Sequence, residues 1–116
     1  MQTPTELAIT AERNNTQTVL SVSGRVTIDT SPDLRNRVLA ILQNESSNRL
    51  TINLTNVPYI DCSGLATLVE VLRLARRRSM EVELTGLHDR VLYLLQVAGL
   101  LNLFQQHGHK HVTARE

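Results

Sequence analysis

The spacing of apolar residues changes repeatedly along this chain, and each change marks an element. Leu7-Ala8-Ile9-Thr10-Ala11-Glu12 is a short strand candidate. The polar run Arg13-Asn14-Asn15-Thr16-Gln17 reads as a turn. Val19, Leu20 and Val22 then suggest a second strand closed by Gly24, so the two runs form a hairpin. Ser31-Pro32-Asp33 opens a helix, with Ser31 as N-cap and Pro32 at the first helical position. Leu34, Val38, Ile41 and Leu42 give that helix one apolar face, and Asn44-Glu45-Ser46-Ser47-Asn48 ends it. Leu50 to Leu54 alternates as a strand, Asn56 to Tyr59 is a loop, and Ile60 to Gly64 leads into a second helix. Leu65, Leu68, Val69, Leu72 and Ala75 line one side of it. Arg76-Arg77-Arg78 falls in its last turn, where cations suit the negative helix end. Met80 to Thr85 alternates as another strand, and Gly86 turns the chain. Asp89 to Ala98 makes a third helix, with Val91, Leu92, Leu94 and Leu95 as its apolar residues and Gly99 as its cap. Leu101, Leu103 and Phe104 suggest a last short strand before a polar tail that starts at Gln105.

The order is ββαβαβα with an optional final strand. Strands alternating with helices imply parallel neighbours joined by right-handed crossovers. The expected fold is α/β: a mixed, mostly parallel central sheet of four to five strands with helices mainly on one side. Residues 1–104 form a single domain in this reading, and 105–116 a polar tail.

Composition narrows the function classes. The chain has 116 residues with 41% hydrophobic and 20% charged, enough apolar content for a core. Aromatics are 3% with no Trp, which argues against a nucleic-acid surface built on stacked rings. The net charge of +1 argues against a strong pull on nucleic acid or anionic lipid. One Cys makes neither an internal disulfide nor a thiolate zinc cage. No apolar run is long enough for a membrane span, and Met1 to Glu6 lacks the features of a signal peptide, so a cytoplasmic, reducing compartment is expected. No Gly-rich phosphate loop or HExxH motif is present, and no cofactor is expected.

Candidate chemistry concentrates in Val57 to Leu65, V-P-Y-I-D-C-S-G-L, where a strand ends, a small-residue turn follows and a helix begins. The first N–H groups of a helix have no internal partner and carry partial positive charge. Asp61 or Ser63 can cap them, and Gly64 allows another chain to approach the backbone. An ordinary strand-to-helix cap is the default reading of such a stretch. Cys62 is either a small turn-filling residue or a thiol activated by the helix start, with His88 a remote candidate base. Arg76-Arg77-Arg78 reads first as a solvated helical turn, and His107, His109 and His111 as part of a polar tail with no companion metal ligands.

Three motifs give a resemblance. G-R-V-T-I-D-T-S-P-D-L (Gly24 to Leu34), I-D-C-S-G-L (Ile60 to Leu65) and V-L-Y-L-L-Q-V-A-G-L (Val91 to Leu100) resemble the STAS domain family, which includes the bacterial anti-sigma-factor antagonists. The resemblance implies the same order of elements and a regulatory binding module rather than an enzyme. The partner it implies is an anti-sigma factor that is also a serine kinase, or a related regulatory protein. Docking would use Gly24, Arg25, Thr27, Asp61, Cys62, Ser63 and Gly64. In the family a phosphoacceptor directly follows the loop Asp, and its modification ends binding. Here Cys62 stands at that position, so either Ser63 is the phosphorylated residue or the switch is lost and binding is constitutive. Arg25 stands in a stretch where family members often carry acids, and it would repel a basic partner. Two rival readings are a STAS subunit of a larger assembly without a phosphorylation cycle, and a thiol-based enzyme or redox sensor using Cys62.

Overall fold

The computed structural model describes residues 7–14, 16–44, 48–99, 105–106 and 112–114. Leu7 to Glu12 and Val19 to Val22 become β1 (Ala8–Arg13) and β2 (Gln17–Ser23), paired antiparallel with Ile9 opposite Val22. Helix α1 (Ser31–Asn44) then crosses to β3 (Arg49–Asn56), and α2 (Cys62–Arg77) crosses to β4 (Glu81–Thr85). Both crossovers return parallel strands: Leu20, Ile52 and Leu84 are successive neighbours across β2, β3 and β4. Helix α3 (Asp89–Val97) follows, and then two short strands, β5 (Gln105–Gln106) and β6 (Val112–Ala114). The sheet order is β1-β2-β3-β4-β6-β5.

The mixed sheet built on β1 to β4, with the short β6 and β5 added at the β4 edge, and the three helices match the fold class read from the sequence. Two features depart from that reading. Val112–Ala114 lies in the stretch read as a polar tail, yet it pairs antiparallel with β4, with Leu84 opposite Val112. The reason is available backbone: without β6, the outer edge of β4 would leave its N–H and C=O groups unpaired. The strand expected at Leu101 to Phe104 lies outside the described residues, as do His107, His109 and His111. In addition, α1 starts one residue early. Ser31 is its first residue, and Thr30 precedes it with its hydroxyl committed to the Thr27 amide (2.9 Å) and the Arg25 carbonyl (2.6 Å).

Period-two alternation sorts the strands into two faces. Leu20, Val22, Leu50, Ile52, Leu54, Val82 and Leu84 are buried and join the buried residues of all three helices in one continuous core. The opposite face is polar and internally bonded: Gln17 Nε2 donates to Thr51 Oγ1 (3.2 Å), and Thr51 Oγ1 donates to Glu83 Oε1 (2.8 Å). At the helix ends, Arg78 of the basic run donates from Nη1 to the Leu42 carbonyl (2.8 Å), so it serves the last turn of α1 as well as its own helix. Arg35 reaches Glu70 with both Nε and Nη2, each at 2.8 Å, and this fork ties α1 to α2. It holds Glu70 below its ordinary pKa, chiefly through the side-chain hydrogen bonds from Arg35.

Candidate functional site

Because β2, β3 and β4 run parallel, the loops that leave their carboxyl ends meet at one end of the sheet. These are 24–30 after β2, 57–61 after β3 and 86–88 after β4. The first two are stitched together by backbone. The Gly24 amide donates to the Asn56 carbonyl (3.0 Å), the Val26 amide to the Tyr59 carbonyl (3.0 Å), and the Asp61 amide to the Val26 carbonyl (3.1 Å). Val26 and Ile60 form a parallel bridge and are both buried, so the sheet is in effect prolonged into the loops.

Asp61 closes this unit. It is the N-cap of α2 and has extended backbone, and its Oδ1 accepts from the Gly64 amide at 3.0 Å. Its Oδ2 accepts from the Ile28 amide at 3.1 Å. One carboxylate therefore satisfies an orphan donor of α2 and anchors the neighbouring loop. Of the two caps that the sequence leaves open, Asp61 fills the role. Ser63 is half-buried in the first turn, and Cys62 is exposed.

Gly64 is buried, and its requirement is internal. A Cβ there would stand 2.5 Å from Ile60 Cγ2, 2.9 Å from Val26 Cγ1 and 3.0 Å from the Val26 carbonyl oxygen. The close approach that the glycine allows within the domain is between α2 and the Val26–Ile60 bridge. Gly24 (φ 118°) turns the chain out of β2. Thr27 stays inside the turn, its Oγ1 accepting from the Asp29 amide at 3.2 Å. The bonds of Thr27 and Thr30 leave Ile28 pointing outward with 69% of its surface exposed, as exposed as Tyr93 and Val97 of α3.

Next to Gly24, Arg25 lies over the Tyr59 ring, its Cζ 4.5 Å from the centroid. Arg90, from the first turn of α3, approaches the same ring at 5.3 Å. Both arginines are exposed and Tyr59 is half-buried. His88 turns to the end of β3, its Nε2 2.6 Å from the Thr55 carbonyl oxygen. A carbonyl only accepts, so that nitrogen carries the proton and is engaged.

The sequence-read residues Gly24, Arg25, Thr27, Asp61, Cys62, Ser63 and Gly64 are thus brought to one end of the molecule. Cys62 and Arg25 are exposed there, and Gly64 is not. The sequence reading covered Ile28 and Tyr59 only as parts of the Gly24 to Leu34 and Val57 to Leu65 stretches, without singling them out, and missed Arg90. An isoleucine between threonines in a turn was a signal for the first, but nothing local links Tyr59 with Arg90. Among the described residues no group of three or more His, Cys, Asp or Glu is placed to hold a metal, and no helix is long and apolar enough to cross a membrane.

Comparison with known proteins agrees with this architecture. An anti-sigma-B factor antagonist of Listeria monocytogenes is 31% identical over 94 residues, covering 81% of this chain and 82% of that protein. One from Staphylococcus aureus is 30% identical over 84 residues, covering 72% and 77%. The crystal structure of an anti-sigma factor antagonist from Mycobacterium paratuberculosis superposes with a TM-score of 0.76 at 20% identity, covering 88% of this chain and 86% of that one, a likeness of fold. The family model of the STAS domain matches residues 8–114. The chain belongs to the STAS domain family and is of the anti-sigma-factor-antagonist type.

Proposed function

We propose that this domain is a regulatory module that docks an anti-sigma factor through the joined loops at the carboxyl end of its sheet. The observation that carries this reading is the Asp61 clamp. By holding the Ile28 amide and the start of α2 with one carboxylate, it fixes an exposed isoleucine beside an exposed helix start. Surfaces of this kind, rigid and with an apolar anchor, suit protein partners. The relatives bear the name anti-sigma-B factor antagonist, which supplies the class of partner.

Cys62 occupies the position where the family carries its phosphoacceptor, and it is exposed. Ser63, half-buried in the same turn, is the remaining hydroxyl. The domain binds unmodified, and negative charge at this helix start weakens the complex. The helix itself favours an anion there by ~0.3–1 kcal/mol, so the loss arises at the interface, where an unpaired carboxylate is costly to desolvate.

Titration calorimetry with the anti-sigma factor that co-purifies with the chain tests this. Ser63→Asp and Ile28→Asp are each expected to lower affinity roughly tenfold or more, about 1.4 kcal/mol, with the melting temperature nearly unchanged. Ser63→Ala binds like wild type. Equal affinities for wild type and both Asp variants would remove this surface from the interface.

A further inference from the structure

The chemistry of the partner surface can be read from the Arg25–Tyr59–Arg90 cluster, given the docking role proposed above. Two guanidinium groups share one ring, Cζ to centroid 4.5 and 5.3 Å. They are therefore no farther apart than the two distances combined, about one Debye length at 0.1 M salt, ~10 Å, so they repel each other. Neither is in an ion pair with a carboxylate among the described residues. Arg90 also lies in the first turn of α3, where the helix presents its own positive end, and the N-cap His88 makes no side-chain bond to the helix.

Three carboxylates lie at the same end of the molecule. Both Asp61 oxygens are occupied by backbone amides, Asp29 lies exposed in the turn that carries Ile28, and Asp89 is in the first turn of α3. The ring faces hold the arginines with their forks accessible, the arrangement that binds carboxylates two hydrogen bonds at a time. Ile28 stands three residues along the same turn from Arg25 and is exposed, an apolar residue in the same loop.

We infer that the Arg25–Tyr59–Arg90 cluster receives carboxylates of an acidic protein segment, with Ile28 taking an apolar residue next to them. At the cluster itself a carboxylate is favoured over a cation.

The test is nuclear magnetic resonance titration of the isotopically labelled full chain, following backbone amides and the Arg25 and Arg90 Nε–H signals. The probes are a short peptide of Asp and Glu around one Leu, the same peptide with Lys and Arg in place of the acids, and inorganic phosphate. The acidic peptide is expected to shift Arg25, Tyr59, Arg90 and Ile28, and to lose affinity as salt rises. Arg25→Gln and Arg90→Gln should each weaken it roughly fivefold to tenfold, a typical effect of removing one charge-assisted contact. Tyr59→Leu should weaken it with both arginines retained.

The inference falls if the basic peptide binds as well as the acidic one, if the arginine variants bind unchanged, or if inorganic phosphate gives the same shifts at the same concentration. Failure of the docking reading looks different: Ile28→Asp would leave anti-sigma-factor affinity intact while the acidic peptide still bound. If Ile28→Asp abolishes the anti-sigma-factor complex and the acidic peptide does not bind, docking stands and the acidic partner does not.

Discussion

The starts of α2 and α3 lie at the same end of the sheet but are finished in opposite ways. Helix α2 is closed from within: Asp61 caps it, and Gly64 brings its first turn hard against Val26 and Ile60. Helix α3 has no side-chain cap, because His88 turns back to the Thr55 carbonyl, and it carries Arg90 in its first turn. Both need a glycine to come close to β3 or its loop, but for different contacts. Gly86, just before α3, has φ +68°, and a Cβ there would fall 2.7 Å from the Thr55 nitrogen and 2.8 Å from its Cα. The difference shows that a helix start can be a joint of the fold or a surface for something else. Here α2 is the joint that holds the loops in shape, and α3 contributes charge.

The largest expected effect comes from crowding the two glycines. Gly86→Ala meets backbone and takes a left-handed conformation, so it should cost roughly 2–4 kcal/mol. Gly64→Ala meets the γ-methyl groups of the buried Ile60 and Val26 and the Val26 carbonyl oxygen, but gains helix propensity, so roughly 1–3 kcal/mol is expected. Urea denaturation of both variants gives the order. A Gly64→Ala protein less stable than the Gly86→Ala one would mean that α2, not α3, is the more tightly seated helix.

Breaking the clamp itself should come next. Asp61→Ala removes an N-cap, worth about 1–2 kcal/mol, and also frees the Ile28 amide. Hydrogen exchange should therefore accelerate at Gly64 and at Ile28, in two segments far apart in sequence. Faster exchange at Gly64 alone would show that the loop 24–30 holds its shape without Asp61.

The smallest effect concerns the fork that sets α1 beside α2. The Arg35 hydrogen bonds lower the Glu70 pKa below its ordinary value of 4.5, so the ionised carboxylate favours the folded state. That contribution is present above the ordinary value and is lost as pH falls through the lowered folded one. Glu70→Gln should therefore melt slightly below wild type at neutral pH, with the gap closing in strong acid. Both groups are substantially exposed, so the gap is small and shrinks with salt. A gap that widens in acid would contradict the assigned pairing.

Local pattern alone marks most of the elements. The alternation of Leu50, Ile52 and Leu54, and of Val82 and Leu84, depends on period two, and the apolar faces of the helices on period 3.6. The stretch Ile60 to Leu65 is also legible, since a short acid just ahead of a helix is recognisable from its neighbours, although sequence leaves Asp61 and Ser63 as equal candidates for the cap. Tertiary structure decides between them, because only Asp61 also meets the Ile28 amide, 33 residues away. It likewise reveals that Gly64 faces its own sheet, that Arg78 serves the end of α1, and that Val112–Ala114 completes the edge of β4. Arg25 and Tyr59 come from two loops and Arg90 from the first turn of α3, and no periodicity connects them. They meet because two crossovers between parallel strands place the carboxyl ends of β2, β3 and β4 side by side, so residues far apart in the chain become neighbours at one rim. Periodicity fixes what each segment is, since it depends on neighbours a few residues away. Which side chains share a surface depends on how the segments are stacked, which is set by burial of the whole core at once.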